Sequence, residues 1–226
     1  MTINPSNIEN SSSKINSCFS KLTDYIWPIK RHEVSKFLFI TLLMFCILFI
    51  QNLIRALKDS IVTTMIGAEI ISFLKFWGVT PSAFLMTAIY VKLVNKMKAE
   101  NIFYLMISIF LIFFALFAYV IFPNHAMLHL SPVTVQNFTA SLPNLKWFIL
   151  LLSKWSFSLF YIIAELWPNV VFALLFWQFV NNITTVEESK RLYPLFGLLS
   201  QTGMYLAGQF LENLSNINDY ITNKFA

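Results

Sequence analysis

Charge is what this sequence has least of. Asp, Glu, Lys and Arg make up 12% of its 226 residues, about half the roughly 25% of an ordinary soluble domain. In their place, 57% of the residues are hydrophobic and 24 are Phe, giving a mean hydropathy of +0.65. So little charge cannot clothe a soluble globule, which leaves an all-α, multi-pass membrane protein and little room for a soluble domain. Cysteine is also scarce. Cys18 lies in the polar start and Cys46 in the first apolar run, settings too different for a disulfide or a metal pair, so redox chemistry is excluded. A phosphate-cradling Gly-rich loop with Lys-Ser/Thr, a zinc His-Glu-Xaa2-His and a Gly-Xaa-Ser-Xaa-Gly elbow are all missing, so no enzyme activity, cofactor, metal or nucleic-acid partner is expected. The first 36 residues hold no apolar core followed by a small-residue cleavage site, so the first span should act as an uncleaved anchor.

What is there is a series of apolar runs, at 37–57, 76–95, 102–122, 147–181 and 192–211, flanked by a polar tail at 1–36 and another at 212–226. Five transmembrane helices are expected. The fourth run, at about 35 residues, would be roughly 52 Å long as one helix, against a hydrocarbon core of ~30 Å. It is either one long helix kinked at Pro168 or two short spans. Charge decides between them. Lys14, Lys21, Lys30, Arg31 and Lys36, then Lys92, Lys96 and Lys98, then Lys190 and Arg191 fall on one side if this run crosses once. The positive-inside rule then predicts one kinked helix, a cytoplasmic N-terminus in the cell (inner) membrane and an external final tail.

Between Trp147 and Asn181 the only formal charges are Lys154 and Glu165. An acidic side chain at a helix centre costs roughly 2.5 to 3.5 kcal/mol on insertion scales, so such residues usually face a polar interior or a substrate path. At helical spacing Lys154, Ser158, Tyr161 and Glu165 share an arc of about 60°. On the first run Gln51, Arg55 and Lys58 share a similar arc of about 60°, with Asp59 beside it. The candidate substrate-binding residues are therefore Lys58, Glu165, Arg55, Lys154 and Tyr161.

Each has a structural alternative. Arg55, Lys58 and Lys154 lie near span ends, where basic side chains snorkel to the interface, and Lys58 can pair locally with Asp59. Glu165 can pair with a basic group on another helix. His125 and His129, spaced four apart between Pro123 and Pro132, read as loop histidines. Gly203 and Ala207 read as a small-residue packing face. Trp27, Trp77 and Trp147 read as interface anchors.

Three segments resemble one family. Ile54-Arg-Ala-Leu-Lys58-Asp59-Ser-Ile-Val62, Ala164-Glu165-Leu-Trp167 with Leu175-Phe-Trp177, and Glu188-Ser-Lys190-Arg191-Leu-Tyr-Pro194-Leu-Phe-Gly197 are similar, in order, to segments of the nucleotide transporters (ATP/ADP translocases) of obligate intracellular bacteria and plastids. The likeness runs from about Trp27 to Leu211. The wealth of Phe, Ile, Asn and Lys suits an AT-rich genome such as a rickettsia's. The resemblance implies an antiporter of major-facilitator type, importing host nucleoside triphosphate in exchange for internal nucleotide. Such carriers have two six-span halves with substrate held between them. This chain would be an N-terminal half lacking its sixth span, with the C-terminal half, nucleotides and the lipid bilayer as partners. In the family the residues matching Lys58 and Glu165 matter for transport. Pro168 departs from the pattern, since many members carry glycine there.

The chemistry agrees with that resemblance. A nucleotide polyphosphate needs desolvated Lys or Arg along its path. Arg55, Lys58 and Lys154 would supply positive charge, Glu165 would lower the net charge of that cluster or pair with a lysine in the unloaded state, and Tyr161 or a Trp would stack on the base. A carrier of another organic anion, or a non-transporting helical scaffold, are the alternatives.

Overall fold

A computed structural model describes residues 29–225, with side chains for 29–215 apart from His32 and Pro132. The expectations for Cys18, Trp27 and most of the tail at 1–36 lie outside the described residues. Among the described residues there is no strand. The reason is elementary: a backbone in hydrocarbon must satisfy its own N–H and C=O groups, and an apolar run does so as a helix.

Four helices are long and apolar enough to cross a membrane. They are α1 (Val34–Met65), α2 (Ile70–Val94), α3 (Ala99–Ile121) and, after two shorter helices α4 (Pro132–Ser141) and α5 (Lys146–Ser153), α6 (Trp155–Ile183). The last helix, α7 (Val186–Phe225), carries the expected fifth run. Its apolarity is thinned by Ser200, Gln201, Thr202 and Gln209, so it does not join the four. The polar stretch after Leu211 continues this same helix rather than starting a separate element.

Two boundaries differ from the sequence expectation for physical reasons. Helix α1 does not stop at Leu57 but runs to Met65, because nothing interrupts helical backbone until Gly67, whose φ of 129° suits only glycine. Lys58 is thus well inside a helix. The run at 147–181, expected as one kinked helix, is not one helix, and only its part from Trp155 belongs to a candidate span. It breaks at Lys154, whose φ of −121° and ψ of 46° separate α5 from α6, while the backbone continues past Pro168 as π-helix over Pro168–Phe176. Pro168 has no N–H to give the preceding turn, and the wider coil accommodates that loss. Asn169 Nδ2 supplies a donor to the Glu165 carbonyl at 3.4 Å.

The principal core lies where α1, α3, α6 and α7 meet, with Ile40, Met44, Met106, Phe110, Trp167, Val171 and Phe196 all buried. Helix α6 is the most enclosed, half of its most apolar window being buried against 11% for α2. Lipid is as apolar as leucine, so close packing and hydrogen bonds, more than hydrophobic burial, hold such helices together. Helices α1 and α7 show this along their length. Phe37 and Phe196 stack at 5.1 Å, Asn52 Nδ2 donates to the Met204 carbonyl at 3.0 Å, and a Cβ on Gly203 would stand 2.8 Å from the Phe45 carbonyl oxygen. The expected small-residue face is therefore the α1–α7 contact, with Ala207 buried beside it. At the start of α1, Glu33 pairs with Arg191 at 3.0 Å and Lys36 with Glu188 at 2.8 Å.

Candidate functional site

The charged stripe of α1 faces the charged stripe of α6. Lys58 Nζ lies 2.8 Å from Glu165 Oε2 across the two helices and 2.7 Å from Asp59 Oδ1 on its own. The lysine side chain is 5% exposed and the glutamate 28%. Beneath them Tyr161 is fully buried, and the Lys58 ammonium sits 4.2 Å from its ring centroid. Two carboxylates and one aromatic face therefore occupy the lysine's surroundings, a paired arrangement that makes a deeply placed ammonium tolerable. The pairing expected for Glu165 on another helix is made with Lys58.

These groups border a polar cavity of about 260 Å³. Helix α1 contributes Gln51, Arg55, Lys58 and Asp59. Helix α6 contributes Ala164, Glu165 and Pro168, so the proline-started π stretch forms part of the wall. Helix α2 adds Lys75. Arg55 and Lys75 are exposed, and no ion pair holds either among the described residues. The Gln51 Oε1 and Tyr161 hydroxyl atoms are buried without a hydrogen-bond partner among the described residues.

Four of the five sequence-derived candidates gather here, in different roles. Lys58, Glu165 and Arg55 line the cavity, and Tyr161 supports Lys58 from below. The stacking role expected for Tyr161 is corrected by its burial, which leaves no open ring face for a base. Lys154 is not brought to the cavity. Standing in the break between α5 and α6, its Nζ donates to the Met65 carbonyl at the end of α1. Ser158, Tyr161 and Glu165 share one helix, but Lys154 falls outside their arc because the helix is interrupted at Lys154 itself.

Lys75 is the residue that sequence reasoning passed over. As the last residue before the apolar run at 76–95, it carries the same signal as any interface lysine. Its place in the wall depends on tertiary packing. Phe73 meets Phe148 of α5 edge-on at 4.7 Å, and Gly78 lets α2 press on α6, where an added Cβ would stand 2.8 Å from Ile162 Cδ1.

Outside the cavity, His129 Nε2 lies 2.7 Å from Ser156 Oγ, and His125 Nδ1 lies 2.7 Å from the Phe122 carbonyl. Burial, together with the nearby His125 and Lys154, pushes the His129 pKa down. His125 is thus engaged locally, whereas His129 ties the connecting segment to the start of α6.

Comparison with known proteins identifies the family. Residues 12–226 match the sequence profile described as TLC ATP/ADP transporter. ADP,ATP carrier protein 4 of Rickettsia conorii is 94% identical over the whole chain, which spans 44% of that relative. The same-named protein of Rickettsia bellii is 84% identical over 225 residues, 43% of its length. ADP,ATP carrier protein 3 of Rickettsia typhi is 49% identical over 88% of the chain and 40% of its own length. The chain thus spans under half the length of these relatives. No solved structure gives a significant match. With its own charged cavity between α1 and α6 and a profile match over nearly its whole length, the chain belongs to the TLC ATP/ADP transporter family.

Proposed function

We propose that this chain is the N-terminal part of a nucleotide antiporter, a carrier rather than an enzyme, which takes up host nucleoside triphosphate and releases internal nucleotide. The observation that carries this reading is the buried Lys58, held by Glu165 across two membrane-crossing helices and bordering a polar cavity. An ammonium in that place has its carboxylate partners supplied by the protein, and a polyphosphate offers the same charge and more acceptor oxygens. An arriving phosphate takes Lys58 from Glu165, and Arg55 supplies a guanidinium to the same anion.

Exchange follows from the competition. In the empty carrier the Lys58–Glu165 pair braces α1 against α6. Loading releases the brace and allows reorientation, and after unloading the pair re-forms, so an unloaded carrier stays in place until nucleotide returns. The cavity, at about 260 Å³, is below the range of roughly 300–1,000 Å³ usual for small-molecule sites. That size suits one wall of a site completed by a second half of the transporter, in the manner of carriers whose substrate lies between two repeats.

The topology belongs to the same proposal: α7 as the fifth crossing, the N-terminus, residues 92–98 and the first turn of α7 at 187–191 cytoplasmic, the segment 123–146 external, and the whole in the inner membrane with major-facilitator arrangement. The test is uptake of labelled ATP by proteoliposomes of the full-length transporter, preloaded with unlabelled nucleotide or empty. Uptake should depend on internal nucleotide. Equal competition by a phosphorylated sugar, or no uptake at all, would overturn the assignment.

A further inference from the structure

Lys58 is among the residues the sequence points to, yet it is the least available cation of the cavity. Two of its donors meet carboxylates at 2.7 and 2.8 Å, its remaining surroundings include the Tyr161 ring, and its side chain is 5% exposed. An anion entering the cavity meets other groups first. Those groups are Arg55 on α1 and Lys75 on α2, both lining the cavity and both exposed.

Charge counting shows that the cavity wall keeps an uncompensated cation. The cavity holds three cations, Arg55, Lys58 and Lys75, against two carboxylates, Asp59 and Glu165. Without Lys75 the wall is neutral; with it the wall carries one net positive charge. In a cleft with low-dielectric walls a single uncompensated charge is felt strongly, and it raises the local concentration of oppositely charged ligand. Lys75 is also delivered by a third helix. The Gly78–Ile162 contact presses α2 onto α6, and Lys75 begins the π-helical segment Lys75–Val79 that contains that glycine.

Resting on the antiporter reading, we propose that Lys75 is a phosphate-binding, specificity-determining residue: it makes the empty cavity attractive to a polyphosphate and ranks nucleotides by phosphate charge before Lys58 is released from Glu165. Its effect falls on capture. Lys58 acts after capture, when it exchanges its carboxylate for phosphate.

The experiment compares wild type, Lys75→Gln, Lys75→Arg and Lys92→Gln in proteoliposomes of the full-length transporter, each normalised to the amount of folded protein. Lys92, towards the other end of α2, controls for loss of a charge as such. For Lys75→Gln the KM for a nucleoside triphosphate should rise about tenfold, the change in affinity set by roughly 1.4 kcal/mol. The KM for a monophosphate should move less. The fall of kcat/KM with added salt should be shallower than in wild type, because one steering charge is gone. Lys75→Arg should restore both, and Lys92→Gln should match wild type. A Lys75→Gln protein with wild-type KM and wild-type salt dependence would make Lys75 an interface anchor and overturn the proposal.

A second readout separates this idea from the transport reading. Inorganic tripolyphosphate should raise the thermal stability of the detergent-solubilised protein by binding the folded state, and Lys75→Gln should abolish that rise. If wild type takes up no nucleotide, the antiporter reading falls, and the tripolyphosphate shift decides for Lys75 alone. Its loss in Lys75→Gln supports an anion site; its persistence there overturns one.

Discussion

Lys58 on α1 and Glu165 on α6 meet at 2.8 Å, and it is the lysine, not the glutamate, that is sealed from its surroundings. The enclosed partner is therefore the one that suffers if the pair is broken from the other side. Asp59, at 2.7 Å, limits that damage by remaining as a second carboxylate.

Glu165→Gln should lower stability by about 1–3 kcal/mol, the range for an imperfectly satisfied buried group, and not the 3–5 kcal/mol of a fully stranded ion. In transport, Gln no longer competes with phosphate for Lys58, so release slows and both kcat and KM should fall. Thermal unfolding with exchange kinetics on one preparation checks both. A wild-type profile in each would remove Glu165 from the site.

Lys58→Ala leaves two carboxylates on the cavity without the ammonium between them. Exchange should fall by about 30-fold or more, since truncating one side of a buried charge pair costs about 2–5 kcal/mol. Lys58→Arg should keep part of the activity. Combining Lys58→Met with Glu165→Gln should recover stability but not transport, and a double-mutant cycle reads the difference.

Gly203→Ala should be costly and Gly208→Ala should not. A Cβ at 203 meets the Phe45 carbonyl at 2.8 Å, whereas nothing lies within 4 Å of one at 208. Overpacking of that kind costs about 1–3 kcal/mol, while alanine in an open helix position gains up to about 1 kcal/mol. Melting temperatures of the two variants against wild type decide it.

The Lys36 ammonium and the Thr185 backbone amide hold the Glu188 carboxyl below the usual carboxylate range. A depressed pKa stabilises the fold above the unfolded value and loses that contribution as pH falls through the folded one. The stability gap between wild type and Glu188→Gln should therefore stay level from neutral pH down to about 5 and close below the ordinary Glu value of about 4.3. A gap that varies between pH 6 and 8 would contradict the assignment of this pair.

Asn137, exposed on α4, should react with an impermeant thiol reagent when replaced by cysteine in intact cells. Labelling only after permeabilisation would invert the proposed topology.

Much of this site was legible before the structure. Helical spacing alone put Lys58 and Glu165 on polar stripes, and the cost of an unpaired charge in hydrocarbon required the two stripes to find partners. The misreadings have one cause, namely contacts between residues far apart in sequence. Lys154 reads as part of the α6 stripe because no Gly or Pro announces the break that accompanies its bond to the Met65 carbonyl. Lys75 goes unnoticed because only the packing of α2 on α5 and α6 brings it to the cavity wall. The Glu33–Arg191 and Lys36–Glu188 pairs lie between elements at opposite ends of the described chain, beyond the reach of any local pattern.

The π-helical stretch at Pro168–Phe176 has a consequence for how Glu165 can be turned. A π turn carries about one residue more than an α turn, and one residue of helix corresponds to about 100° of rotation. If that surplus migrates along α6 or is given up, the segment bearing Glu165 swivels relative to the segment after Phe176 with no hydrogen-bonded turn unfolded. The carboxylate that pairs with Lys58 thus stands directly before the stretch of α6 whose winding departs from the α-helix.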